Sequence, residues 1–173
     1  MNEYITEVER YIRIKKPYVI ALNPSVILNK KLIDLYVSCN PLKLIADIDK
    51  IKFIKSALAI PHSFLTKDLI KKFKNIKLLN YEAGVQSGKY KIYKKEAVIP
   101  KLYNIAYALS LATSGNASKI LLAGFDGYGI NDSRTETIEE LFSLYMSLKK
   151  SKDLISVTPT QYNIKSSSIY SLL

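Results

Sequence analysis

Residues 119–132 read KILLAGFDGYGIND. The first half is an aliphatic run with the length and composition of a buried strand. It then breaks into Gly124, Asp126, Gly127, Tyr128 and Gly129, a turn that carries a carboxylate and a phenol. Upstream, Leu102, Tyr103, Ile105, Ala106, Leu109 and Ala112 recur at helical spacing, with Pro100 suited to the first turn and Gly115 to the C′ position. Downstream, Ser133 and Glu136 have the spacing of a capping box. Ile138, Leu141, Phe142, Tyr145 and Leu148 would then form the inner face of a helix whose acids come early and whose lysines come late. LISVTP (154–159) reads as the next strand. Helix, strand, helix, strand is the pattern of an α/β domain with parallel strands.

The same alternation extends toward the N-terminus. Residues 3–14 read as an amphipathic helix with Tyr4, Ile5, Val8, Tyr11 and Ile12 on one stripe, ended by Pro17. YVIAL (18–22), LYVSCN (35–40), KSALAI (55–60) and IKLLNY (76–81) read as strands. Between them LNKKLID and PLKLIADI (41–48) read as short helices, and Thr66 can cap KDLIKKF. Residues 82–99 lose this periodicity and read as a hairpin or a mobile excursion. The expectation is a single Rossmann-like three-layer α/β domain over residues 1–173 with a mainly parallel sheet. KILLAGF (119–125) is its most hydrophobic strand and is expected to be its most buried.

Composition narrows the function classes. The chain has 173 residues, 48% of them hydrophobic, which suffices for one packed core. No apolar run approaches the roughly 18 residues of a membrane span. The N-terminal stretch lacks the apolar core of a signal peptide. With Cys39 the sole cysteine, the expected compartment is the cytoplasm. The net charge is +11, but of 26 basic residues only Arg10, Arg13 and Arg134 are arginines, and the 23 lysines are dispersed. Lysine reads phosphate and base geometry less well than arginine, and no nucleic-acid motif accompanies the charge, so no nucleic-acid partner is expected. No P-loop, dinucleotide fingerprint or nucleophile elbow is present. Asp34, Asp47 and Asp49 have no metal-ligand spacing, and Cys39, like Tyr103 and Tyr107, reads as core.

In parallel sheets ligands bind beyond the carboxyl ends of the strands, near a switch in strand order. The residues there are therefore the candidate ligand contacts. Asn23 and Ser25 suit a phosphate, or equally a helix N-cap. Asn40 suits a base or ribose, or a pre-proline turn. His62, the one histidine, suits a general base or a phosphate partner, or an ordinary loop. Asp126 suits a ribose hydroxyl, a metal or an amine, or hydrogen bonds within its own turn. Tyr128 suits base stacking or a phosphate, or a half-buried structural role. His62 and Asp126 are the catalytic candidates. No metal site is expected, and the expected ligand in place of a cofactor is a nucleotide or nucleotide-sugar.

Several of these turns resemble those of a known superfamily. VIALNPSV resembles the N-G-P-S nucleotide-binding turn of bacterial sialyltransferases, and similar turns occur in motility-associated (Maf-type) flagellin glycosyltransferases and archaeal hydroxymethylpterin diphosphokinases. YVSCNPL resembles the sialyltransferase R-C-N strand end, GFDGY their G-I-D-F-Y, and LISVTPTQ their late L-Y-C-L-C-P-N-S strand. The similarity is collinear over roughly Pro17 to Thr160. The whole chain also resembles the C-terminal region of HMG-CoA-lyase-like aldolase proteins of surface-polysaccharide clusters, where AGFDGY and SxTPTxY recur. Asn23-Pro24-Ser25 lacks the family's glycine, and Ile130 to Asp153 contains no histidine where the sialyltransferases carry a catalytic one.

These resemblances imply a nucleotide- or nucleotide-sugar-binding domain of surface-glycan biosynthesis, with glycosyltransferase-like group transfer as its chemistry if it turns over. The alternative is a non-catalytic accessory or assembly domain, with an aldolase domain or a second copy of the chain as partner. A diphosphokinase-like transferase ranks third.

Overall fold

The structure, a computed structural model, describes every residue except Met1, Ser25, Lys52 and Ile130, and for Asn2 the backbone only. Its helices are α1 (Ile5–Lys15), α2 (Pro41–Ala46), α3 (Ile48–Ile51), α4 (Lys67–Lys72), α5 (Asn104–Ser114) and α6 (Ser133–Met146). Its strands are β1 (Ile20–Ala21), β2 (Leu35–Val37), β3 (Ala57–Ile60), β4 (Leu78–Asn80), β5 (Glu82–Val85), β6 (Lys91–Ile92), β7 (Glu96–Ile99), β8 (Lys119–Leu122), β9 (Asp153–Ser156) and β10 (Lys165–Ser166). The fold is mixed α/β with three sheets, mainly parallel. The backbone forms two compact units, Tyr18–Gly115 and the pair of segments Met1–Pro17 and Asn116–Leu173.

The Tyr18–Gly115 unit is built on a four-stranded parallel sheet in the order β1-β2-β3-β4. Both central strands are nearly inaccessible: Leu35, Tyr36 and Val37 of β2, and Leu58, Ala59 and Ile60 of β3, are buried. One cross-strand row runs Ala21, Tyr36, Leu58, Leu78. The connection from β2 to β3 is α2–α3, whose Leu44 and Ile51 are buried, as is Ile54 just beyond. Asn40 caps α2, accepting hydrogen bonds from the N–H groups of Leu42 and Lys43. Thr66 caps α4 through the N–H of Leu69, as its sequence position predicts. A second sheet has the order β5-β7-β6, with β5 parallel and β6 antiparallel to β7. Helix α5 packs against β2, β6 and β7.

Three tyrosines tie this unit together through their hydroxyls. Tyr107 donates to the carbonyl of Tyr81, Tyr81 donates to the carbonyls of Glu96 and Tyr93, and Tyr90 donates to that of Ala106. A buried phenol is stable where its polar end is satisfied in this way.

In the second unit β8, β9 and β10 form a parallel sheet in the order β10-β9-β8. Helix α6 joins β8 to β9 and buries Ile138, Leu141, Phe142 and Tyr145, four of the five inner-face residues read from its periodicity. Phe142 packs edge-on against both Phe125 and Tyr162. Helix α1 packs on the 3-10 turn Ile169–Leu172, where Tyr4 meets Tyr170 edge to face.

The structure corrects several local expectations. Strand β8 spans only 119–122, with Leu122 buried and Lys119 exposed, so the most hydrophobic run is not the most buried strand. It lies at the edge of its sheet, whereas β2 and β3 are central in theirs. Helix α5 starts at Asn104, four residues after Pro100, and the left-handed residue at its end is Asn116 (φ 61°), not Gly115 (φ −74°). Helix α6 is capped by Asp132, which accepts from the N–H of Arg134; Ser133 is the first helical residue. Helix α1 ends with Lys16 in the left-handed region (φ 49°), consistent with the restriction that Pro17 imposes on the residue before it. Strand β10 carries no alternating signal in the sequence and was not expected. Each fully parallel sheet runs in sequence order, so among the described residues neither contains the expected reversal of strand order.

The cap assignment is testable by substitution. Asp132→Ala should lower the melting temperature, and Ser133→Ala should leave it unchanged. The opposite ranking would restore the capping box at Ser133.

Candidate functional site

The carboxyl ends of β1 to β4 bring together the polar groups of the Tyr18–Gly115 unit. The organising side chain is Asn104, at the first position of α5. Its Nδ2 donates to the carbonyl of Leu22 at 2.6 Å, and its Oδ1 accepts from the N–H of Cys39 at 3.0 Å. It thus clasps the ends of β1 and β2, where the sheet ladder stops and backbone groups need other partners. The Cys39 thiol lies 3.5 Å from the same Oδ1. Burial pushes that thiol up to about 12, against a small lowering by a backbone hydrogen bond, so Cys39 is an inert core residue, as its isolation in the sequence suggests.

Beside this clasp lies a crevice of about 270 Å³, counted to its open mouth. Its polar lining includes Asn23, Ser38, Lys43, Asp47 and Asn104, and its apolar lining includes Leu44, Ile51, Ile54 and Leu58. Lys50 holds the Asp47 carboxylate at 3.2 Å. Tyr36 also lines the crevice, and burial raises its phenol above the ordinary tyrosine value.

A second polar cluster sits at the ends of β3 and β4. His62 donates its backbone N–H to Asn80 Oδ1 at 3.1 Å. Ser63 donates both its hydroxyl, at 2.5 Å, and its N–H, at 3.3 Å, to Glu82 Oε2. Burial would raise the Glu82 carboxyl. Hydrogen bonds from the Ser63 hydroxyl, Asn80 and the Ser63 N–H, with the charge of His62, outweigh burial and hold it below its ordinary value. His62 therefore has a carboxylate neighbour that its sequence surroundings do not name. Its Nε2 is buried and without a hydrogen-bond partner among the described residues.

Asp126 and Tyr128 belong to the other unit, on the loop after β8. Three hydrogen bonds join this loop to the one after β9. Thr158 Oγ1 accepts from the Gly124 N–H at 2.9 Å, Thr160 Oγ1 donates to the Phe125 carbonyl at 2.6 Å, and the Gln161 N–H donates to the Asp126 carbonyl at 3.2 Å. Gly127 has φ +109°, and a Cβ there would lie 3.0 Å from the Gln161 side chain, so glycine is needed at this position. Asp126 is exposed and Tyr128 half-buried. The Arg134 guanidinium lies over the Tyr128 ring, 4.1 Å from its centroid, and occupies one of its two faces. Arg134 also grips Asp132, with Nε 2.9 Å from Oδ1 and Nη2 2.5 Å from Oδ2. Hydrogen bonds from the Arg134 side chain and backbone hold the Asp132 carboxyl at about 2.

Of the sequence candidates, Asn23 lines the crevice, Asn40 caps α2, and His62 sits with Asn80 and Glu82. Ser25 lies outside the described residues. Asn104, Tyr36, Lys43, Glu82 and Arg134 were not singled out from the sequence. Asn104 had one legible signal, an amide at the head of an otherwise apolar helix. Among the described residues no group of three or more His, Cys, Asp or Glu side chains is placed to hold a metal, and no helix is long and apolar enough to cross a membrane.

Asn104→Ala should cost about 2–3 kcal/mol in urea unfolding, since it leaves the Leu22 carbonyl and the Cys39 N–H unpaired. A loss below 0.5 kcal/mol, on the scale of a neutral surface change, would show that the clasp is dispensable. Glu82 titrates lower in the folded state than in the unfolded. Its contribution is therefore complete above the ordinary glutamate value of 4.5 and is lost as pH falls through the folded value. Glu82→Gln should flatten the stability–pH curve below pH 4.5 and leave its shape near pH 7 unchanged. An unaltered acid limb would contradict the assignment.

Comparison with protein-family models, with curated proteins and with solved structures finds no match to this chain.

Proposed function

We propose that this chain is a nucleotide- or nucleotide-sugar-binding domain of surface-glycan biosynthesis, with a single Rossmann-like three-layer plan. The observation that carries the reading is the crevice at the carboxyl edge of the four-stranded parallel sheet, where Asn23, Ser38, Lys43 and Asn104 meet an apolar wall. Small-molecule sites in parallel sheets occur at this edge, and they pair an apolar lining with a few placed polar groups. The 23 lysines give the chain a charge suited to an anionic ligand. Where turnover accompanies binding, it is group transfer from an activated donor, with rate enhancement from positioning and from lysines offsetting donor charge. The reading rests on the Tyr18–Gly115 unit and assigns no ligand contact to Asp126 or Tyr128.

One observation favours a second reading, an accessory or assembly domain. Leu42, Ile45 and Phe53, on and just after α2–α3, are 79%, 51% and 74% exposed. Leu42 and Ile45 stand three apart on one helix and share a face. Exposed apolar side chains grouped in this way are characteristic of contact surfaces.

A thermal-shift panel of CMP, CDP, UDP, ATP and their sugars separates the two. Binding at a hundred times Kd should raise the melting temperature by about 5–10 °C. No response to any member, with the protein folded and light scattering showing a self-associated state, would favour assembly over ligand binding.

A further inference from the structure

Tyr36 stands apart from the other buried tyrosines of its unit. Tyr81, Tyr90 and Tyr107 each engage a backbone carbonyl. Tyr36 is only 2% exposed, yet its hydroxyl has no hydrogen-bond partner among the described residues. Buried polar groups are rarely left so, and the exceptions call for an explanation. Along the sheet its neighbours are Ala21 and Leu58, neither of which has a side chain that can bond it. Leu44, Ile51 and Ile54 of the α2–α3 connection line the same crevice, with Lys43, Asn23 and Asn104 as its polar groups. The space as it stands holds about one water molecule.

We propose that this crevice is the subsite for a nucleobase, with the Tyr36 hydroxyl bonding the polar edge of the ring and Lys43 meeting the attached phosphate. The inference rests on the nucleotide-binding reading and deepens it. The aliphatic lining suits the flat faces of a ring, and a lone hydroxyl that both donates and accepts suits its polar edge. A ring needs more room than one water, so binding displaces the α2–α3 wall outward from the sheet. That wall is two short helices, of six and four residues, which limits the backbone hydrogen bonding that holds it.

Calorimetric titration with CMP, UMP, AMP and GMP, and with ribose 5-phosphate as a probe lacking the base, tests the assignment on wild type, Tyr36→Phe and Lys43→Ala. Tyr36→Phe should weaken the best nucleotide about 5- to 10-fold and leave ribose 5-phosphate unchanged. Lys43→Ala should weaken both. The ligand-free Tyr36→Phe protein should melt no lower than wild type, because it loses an unsatisfied hydroxyl. Full nucleotide affinity in Tyr36→Phe, or a lowered melting temperature, would overturn the subsite while leaving the nucleotide reading intact. No binding of any nucleotide to wild type would overturn both.

Discussion

The carboxamide of Asn104 is the contact on which the rest of the candidate site depends. Parallel strands leave unpaired backbone groups where their ladder ends, and these must be satisfied by something else. Here one side chain from the start of α5 serves two strands, accepting from Cys39 and donating to Leu22. An amide is the side-chain type that can do both with one planar group. The clasp sets where β1 and β2 end, and so where Asn23, Ser38 and Asn40 begin. It also places a helix start beside the crevice without using that helix's own N–H groups.

The interior shows how completely polarity is managed elsewhere in the same unit. Tyr107, Tyr81 and Tyr90 link α5 to the β5–β7 sheet through hydroxyl–carbonyl bonds that a phenylalanine core could not make. Against that background the Tyr36 hydroxyl and the His62 Nε2 are exceptions, and both lie in polar surroundings toward the carboxyl edge of the sheet. In the second unit the loops after β8 and β9 are joined instead by Thr158 and Thr160, which accounts for the local role of the TPT run.

Much of this architecture was legible in the chain. The α/β alternation, the Thr66 cap, the buried face of α6 and the inert Cys39 follow from periodicity and residue chemistry, which are local properties. The burial ranking of the strands was not legible, because β8 is edge and β2 central, and strand order is a tertiary fact. The cap of α6 was misplaced by one residue. Asp132 and Ser133 are both good caps, and the choice turned on the Arg134 contact to Asp132. Asn104, Tyr36 and Glu82 escaped notice because each acts on a partner at least 15 residues away or on a cavity that only the fold creates. Asn40 shows the converse: its capping role was one of the plain alternatives for an asparagine before a helix, and the structure shows that bond directly.

The central claim is that the carboxyl edge of the four-stranded sheet holds the ligand. Amide chemical-shift mapping with saturating CMP, UDP and ATP in turn tests it most directly. The account predicts that at least one of them shifts the backbone signals of Asn23, Val37 to Asn40, Leu44 and Ile51, together with the side-chain amide of Asn104. Shifts confined to residues 153–166, or none with any of the three, would contradict it.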